Sequence, residues 1–211
     1  MSAELRARIV ELARRLGPGG LSQGKTGNLS CRDGGGFLIT PTGVRYEVLT
    51  PAMIVAMDME GAAAAGALVP SSEWRFHRDI YLARPDIGAI VHVHSPYATA
   101  LACANRSIPA FHYMVAVAGG DSIPLAPYAT FGTQALSDHV VRALRERLAC
   151  LLANHGMIAA GADLDAAFER AEAIEELARH YWLALQAGTP VVLGEAQMQD
   201  VLERFKTYGK Q

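Results

Sequence analysis

The chain has 211 residues, 51% of them apolar, and its 19 basic residues nearly balance 21 acidic ones. That length and apolar content can bury a substantial core without cross-links, and the charge balance excludes the basic footprint that nucleic acid or an anionic membrane requires. Cys31, Cys103 and Cys150 are far apart and outside any C-x-x-C pattern, which predicts reduced thiols filling the core of a cytoplasmic protein. No apolar h-region follows the amino-terminal arginines, and the apolar patch from Gly61 to Pro70 is about half as long as a membrane span. A soluble single domain over 1–211 with a small-molecule partner is the expectation.

Leu5, Ile9, Leu12 and Leu16 recur at helical spacing and predict an amphipathic helix over 3–16, stopped by Gly17-Pro18. Alternating segments over 28–32 and 37–40 predict a hairpin tipped by Gly34-Gly35-Gly36, and a short apolar run covers 54–57. Ser71-Ser72-Glu73 opens a helix that runs to about Arg84, with the serines suited to its N-cap and Pro85 to its end. The pattern then predicts a buried strand over 89–94 and helices over 97–104 and 134–147. Two strand-like runs, 150–153 and 157–159, flank Asn154-His155-Gly156. A long alanine-rich helix over 164–186 and a short helix in a polar tail close the chain. This alternation predicts an α/β fold, a three-layer domain with a central mixed sheet covered by helices. Strand order is not readable from it.

His92 and His94 stand two apart in a strand, so both imidazoles face the same side. His155 lies in a turn between two apolar runs, where a strand end can aim it at a neighbouring strand end. Three neutral imidazoles suit a catalytic zinc with one position open for substrate, although hydrogen-bonded histidines would explain the H-x-H pair alone equally well. Glu73, at a helix start, would be kept ionised by the helix dipole and a nearby cation, as would any ordinary first-turn carboxylate.

Gly24-Lys25-Thr26-Gly27-Asn28, Thr42-Gly43 and Ser71-Ser72 offer backbone amides and hydroxyls to a phosphate. Gly19 to Thr26 also fits the nucleotide P-loop pattern G-x-x-x-x-G-K-T. A P-loop lies between a strand and a helix, whereas here a helix and Pro18 precede and a strand-like segment follows, so the match is read as spurious. Only Lys25, Lys206 and Lys210 are available for imine chemistry. None lies in a buried segment of the kind that lowers an amine's pKa, so any carbanion made here must be stabilised by metal.

The stretches Gln23-Gly24 with Gly27-Asn28, ITPTG over 39–43, PSSEWRFH over 70–77, His92-Val93-His94, RSIPAFHY over 106–113, APYATFGT over 126–133, His155-Gly156 and FKTYG over 205–209 together resemble the class II aldolase and adducin family, end to end. The resemblance implies one zinc ion per subunit on His92, His94 and His155, with Glu73 as the acid/base. It also implies phosphate-binding positions at Gly27, Asn28, Thr42, Gly43, Ser71 and Ser72, a proton-donating Tyr113, and an active-site role for Tyr208. A homotetramer is implied, with active sites at subunit interfaces that Tyr113 and Tyr208 reach from a neighbour. The implied reaction is reversible cleavage of a ketose 1-phosphate, with L-fuculose 1-phosphate first among candidates, to dihydroxyacetone phosphate and an aldehyde. Lys25 and Asn154 depart from the family pattern. A 4-epimerase of the family would usually carry Asp at position 73 and a T-H-A-D-Y-F-like segment where Phe111-His112-Tyr113-Met114 stands. A dehydratase remains an alternative, and an adducin-like binding module would lack the histidines and Glu73.

Overall fold

A computed structural model describes residues 2–207. The elements run in the order α1 (Ser2–Arg15), β1 (Asn28–Asp33), β2 (Gly36–Ile39), β3 (Val55–Asp58), α2 (Trp74–Ala83), β4 (Ala89–Val93), α3 (Pro96–Cys103), β5 (Leu125–Ala126), α4 (Gln134–Ala143), β6 (Ala149–Leu152), β7 (Gly156–Gly161), α5 (Leu164–Ala187) and α6 (Glu195–Phe205). The strands form one sheet in the order β3-β2-β1-β4-β7-β6-β5. Every neighbouring pair is antiparallel except β5 and β6, which makes the sheet mixed as expected.

The period of two along each strand sorts side chains into two cores. On one face Leu29, Val91, Val93, Leu151 and Met157 pack against Ile9 and Leu12 of α1, Leu101 of α3, and Phe168 and Ile174 of α5. On the other, Phe37, Ile39, Ile90, Leu152 and Ile158 meet Phe76 and Ile80 of α2 and Leu136 and Val140 of α4. The result is the three-layer α/β arrangement anticipated from the sequence. Among the described residues no helix is long and apolar enough to cross a membrane.

Four local expectations are corrected. The α4 helix ends at Ala143 rather than near 147, because the Arg84 guanidinium donates to the carbonyl of Leu144 and, at 3.2 and 3.1 Å, to those of Arg145 and Arg147, holding a turn there. The serines 71 and 72 do not cap α2; Glu73 occupies the N-cap and makes no side-chain capping bond. The two-residue β5 was not anticipated, since so short a run has no periodicity to read. Cys31 and Cys150 are buried as core residues, but Cys103 is exposed at the end of α3. The P-loop lookalike ends in a loop leading into β1, with no helix after it.

A candidate metal centre and active site

Register brings the site together. β1 and β4 pair so that Asn28 lies opposite His92, and β4 and β7 pair so that His92 lies opposite Ile158. His92 therefore points from the middle of the sheet into the layer occupied by α2. His94 follows β4 on the same side. His155 lies in the tight turn from β6 to β7, next to Asn154, whose φ of 55° is left-handed. Asparagine is among the few side chains that adopt this conformation readily, which accounts for its presence before the histidine. Gly156 is required by close approach: a Cβ there would lie 2.5 Å from the Val93 carbonyl oxygen and 2.9 Å from the His94 ring. Gly27 meets the same limit on the other side of β4, with φ +83° and only 2.6 Å from a notional Cβ to the His92 carbonyl oxygen.

The three imidazoles converge, with ring centroids 4.8 to 4.9 Å apart, and one nitrogen of each lies within 4.8 Å of the other two. His92 Nε2 and His94 Nε2 are 3.1 Å apart. His92 Nδ1 lies 2.9 Å from the Met157 carbonyl oxygen, so Nδ1 carries the proton that this carbonyl accepts and Nε2 is left as a lone pair aimed at the cluster. Lone pairs aimed at one another repel unless a proton or cation lies between them, and two nitrogens on one tetrahedral zinc are about 3.4 Å apart. The donor set and spacing fit a metal of that kind.

Glu73 closes the cluster. It is 7% exposed, with Oε2 3.2 Å from His92 Nε2 and Oε1 3.2 Å from His155 Nε2. Asn28 Nδ2 donates to Oε2 at 3.0 Å, whereas Oε1 is buried without a hydrogen bond, as an atom facing a cation site would be. Burial pushes the carboxyl up, but the adjoining imidazoles of His92 and His155 outweigh it and hold Glu73 well below the usual carboxylate range. Burial pulls His92 down, and the Glu73 carboxylate reverses this and raises it overall. His94, lowered first by burial and then by the charges of His92 and His155, falls to about 4. Neutral imidazole is the form that binds metal.

The cluster opens into a cavity of about 330 Å³. All six expected phosphate positions, Gly27, Asn28, Thr42, Gly43, Ser71 and Ser72, line it together with Glu73, His94 and His155. Lys25 is the one cationic side chain among the described lining residues, and the exposed aromatic residues Tyr128 and Phe131 also line the cavity. Asn28 and Ser71 are engaged with Glu73 itself, Asn28 through its amide and Ser71 by accepting from the Glu73 backbone amide at 3.3 Å. Tyr113 is not brought to this cavity. It opens the short 3-10 helix Tyr113–Ala118, is 48% exposed and stacks on His112. Tyr208 lies outside the described residues. The sequence reading missed His77, Ser30 and Tyr81, which pack behind Glu73. Their signal was the spacing of Glu73, His77 and Tyr81 at i, i+4 and i+8 on a helix.

The model of the family described as Class II Aldolase and Adducin N-terminal domain matches residues 7–182. The chain belongs to the class II aldolase and adducin family. It is 53% identical over 205 residues to a 5-methylthioribulose-1-phosphate/5-deoxyribulose-1-phosphate aldolase of Rhodospirillum rubrum, covering 97% of this chain and 92% of that protein. It is 50% identical over 207 residues to the L-fuculose phosphate aldolase of Escherichia coli, covering 98% and 96%. A solved L-fuculose 1-phosphate aldolase superposes with a TM-score of 0.93 at 40% identity, covering 96% of each chain. The activity class is that of a class II aldolase, a carbon-carbon lyase of a metal-dependent family acting on a phosphosugar. The names of these relatives carry three sugar phosphates, so the expectation of fucose degradation is not singled out by similarity.

Proposed function

We propose that this aldolase reversibly cleaves a ketose 1-phosphate, L-fuculose 1-phosphate in the first instance, to dihydroxyacetone phosphate and L-lactaldehyde, with one zinc ion per subunit. The observation that carries this reading is the meeting, in one cavity, of three imidazoles, a buried ionised carboxylate and loops rich in amide and hydroxyl donors. Held by His92, His94 and His155, zinc supplies the positive charge that polarises a ketone and offsets the negative charge developed as the carbon-carbon bond breaks.

The chain's own groups do the rest. Amides and hydroxyls of Gly27, Asn28, Thr42, Gly43, Ser71 and Ser72 bind the phosphate, and its fixed position orients the reacting carbons. Glu73, held ionised, takes the proton from the terminal carbon of dihydroxyacetone phosphate in condensation and returns it in cleavage, as microscopic reversibility requires. Its neighbour Asn28 keeps the carboxylate aimed into the cavity. Tyr113, and with it Tyr208, handles the hydroxyl proton on the aldehyde half from a neighbouring subunit of a homotetramer. The exposure of Tyr113 and its absence from its own chain's cavity support that assignment.

A second substrate, 5-deoxyribulose 1-phosphate, is favoured by the identity to the Rhodospirillum rubrum enzyme. Both sugars end in a methyl group, which suits the aromatic wall of Tyr128 and Phe131. The test is dihydroxyacetone phosphate release from each sugar by the purified protein, with chelator and with zinc restored. Zinc-restored release is expected. Failure to release it from either sugar, or formation of an epimer instead, would overturn the reading.

A further inference from the structure

The cavity ends at Glu73, but a line of buried polar groups continues behind it. Glu73 at the N-cap of α2 and His77 and Tyr81 within it follow one another at intervals of four, and they face Asn28 and Ser30, two apart on β1. All five are buried, from 0% exposed for Ser30 and His77 to 7% for Glu73. Asn28 Nδ2 donates to Glu73 Oε2 at 3.0 Å, and Asn28 Oδ1 lies 2.5 Å from His77 Nε2. Ser30 Oγ is 2.7 Å from both His77 Nδ1 and the Tyr81 hydroxyl.

The direction of each bond follows from the first. An ionised carboxylate can only accept, so Asn28 turns its amide nitrogen to Glu73 and its oxygen to His77. That oxygen needs a donor, so His77 carries its proton on Nε2. A buried neutral imidazole protonated there presents Nδ1 as an acceptor, so Ser30 donates to it and Tyr81 donates to Ser30. Every bond then runs one way, from the tyrosine to the carboxylate, and bonds aligned in this way strengthen one another in a low-dielectric interior.

We infer that Tyr81, Ser30 and His77 form a positioning relay that fixes the orientation of the Asn28 amide and thereby aims Glu73 at the reacting carbon. None of the three lines the cavity, so they act through Asn28 and touch no substrate. Without the relay Asn28 is free to turn its oxygen toward the carboxylate, where two acceptors repel. The inference rests on the aldolase reading only for what Glu73 does. The relay itself is a statement about hydrogen-bond direction.

Two measurements test it. In the unsubstituted protein, long-range nitrogen-proton couplings should show His77 neutral and protonated on Nε2 at pH 7.5; protonation on Nδ1, or on both nitrogens, would overturn the relay. The second measurement follows exchange of the dihydroxyacetone phosphate proton with deuterated solvent in zinc-loaded protein. His77→Leu should slow exchange by about 10- to 100-fold, the worth of one hydrogen bond to a charged group, with zinc content unchanged. His77→Gln, whose amide can still donate to Asn28, should recover most of that loss. Exchange at the original rate in folded His77→Leu would overturn the relay, as would equal damage by both variants. Absence of exchange in the unsubstituted protein would instead count against the aldolase reading, and the Nε2 proton would still support the relay.

Discussion

Burial of His77 makes acid stability a direct test of the interior hydrogen bonding. The residue is fully buried, and burial first, then the charge of His92, pulls it from its ordinary value of 6.5 down to about 3. The unfolded chain therefore binds more protons than the folded one between these two values, so stability rises with pH across that window. Above pH 6.5 His77 is neutral in both states and costs nothing; as pH falls toward 3 the cost grows, and below 3 it is constant. One unit is worth 1.36 kcal/mol, so at pH 5, 1.5 units below the unfolded value, the cost is about 2 kcal/mol. Glutamine in its place keeps a donor for Asn28 and does not titrate. Urea unfolding of metal-free protein at pH 7.5 and pH 5.0 should show the wild type losing about 2 kcal/mol more than His77→Gln over that interval. Equal losses in the two proteins would mean that His77 is not held neutral by the fold, and the argument from burial would fail with it.

His155→Ala should lose metal and activity together, because it removes one of the three imidazoles of the cluster; a metal-free variant with unchanged turnover, checked by elemental analysis and a coupled assay, would refute the site. Glu73→Gln should keep its metal but exchange the dihydroxyacetone phosphate proton at least about 100-fold more slowly, the usual contribution of a positioned base; proton magnetic resonance in deuterated solvent decides it. Gly156→Ala should destabilise the protein by about 1–3 kcal/mol through overpacking and weaken zinc binding, because its Cβ would press within 2.5 Å of the Val93 carbonyl oxygen and 2.9 Å of the His94 ring. Competition against a chromophoric chelator measures the second effect, and unchanged affinity with an unchanged melting temperature would contradict the close packing of that turn.

The parts of this molecule legible in its sequence are those with a short period. Alternation in Ile90-Val91-His92-Val93-His94 assigns both histidines to one face without any knowledge of neighbours, and the strand and helix spacings of the remaining elements give the three layers in the same way. What the spacing does not contain is which strand lies beside which. His155 reaches His92 and His94 because β7 pairs with β4, and Asn28 reaches Glu73 because β1 flanks β4 on its other side. Those are long-range facts, and no residue near position 155 or 28 encodes them alone. Glu73 shows the limit from the other direction. Its local sequence reads as an ordinary carboxylate at the start of a helix, and it does occupy the N-cap, yet its oxygens turn away from the helix amides to Asn28, His92 and His155. Tertiary charge has overridden the local capping preference, since a buried carboxylate gains more from two imidazoles and an amide than from an exposed helix end. A residue that forgoes its local partner for distant ones is therefore itself evidence of a site, and His77, four residues on and as fully enclosed, repeats the pattern one turn deeper in the fold.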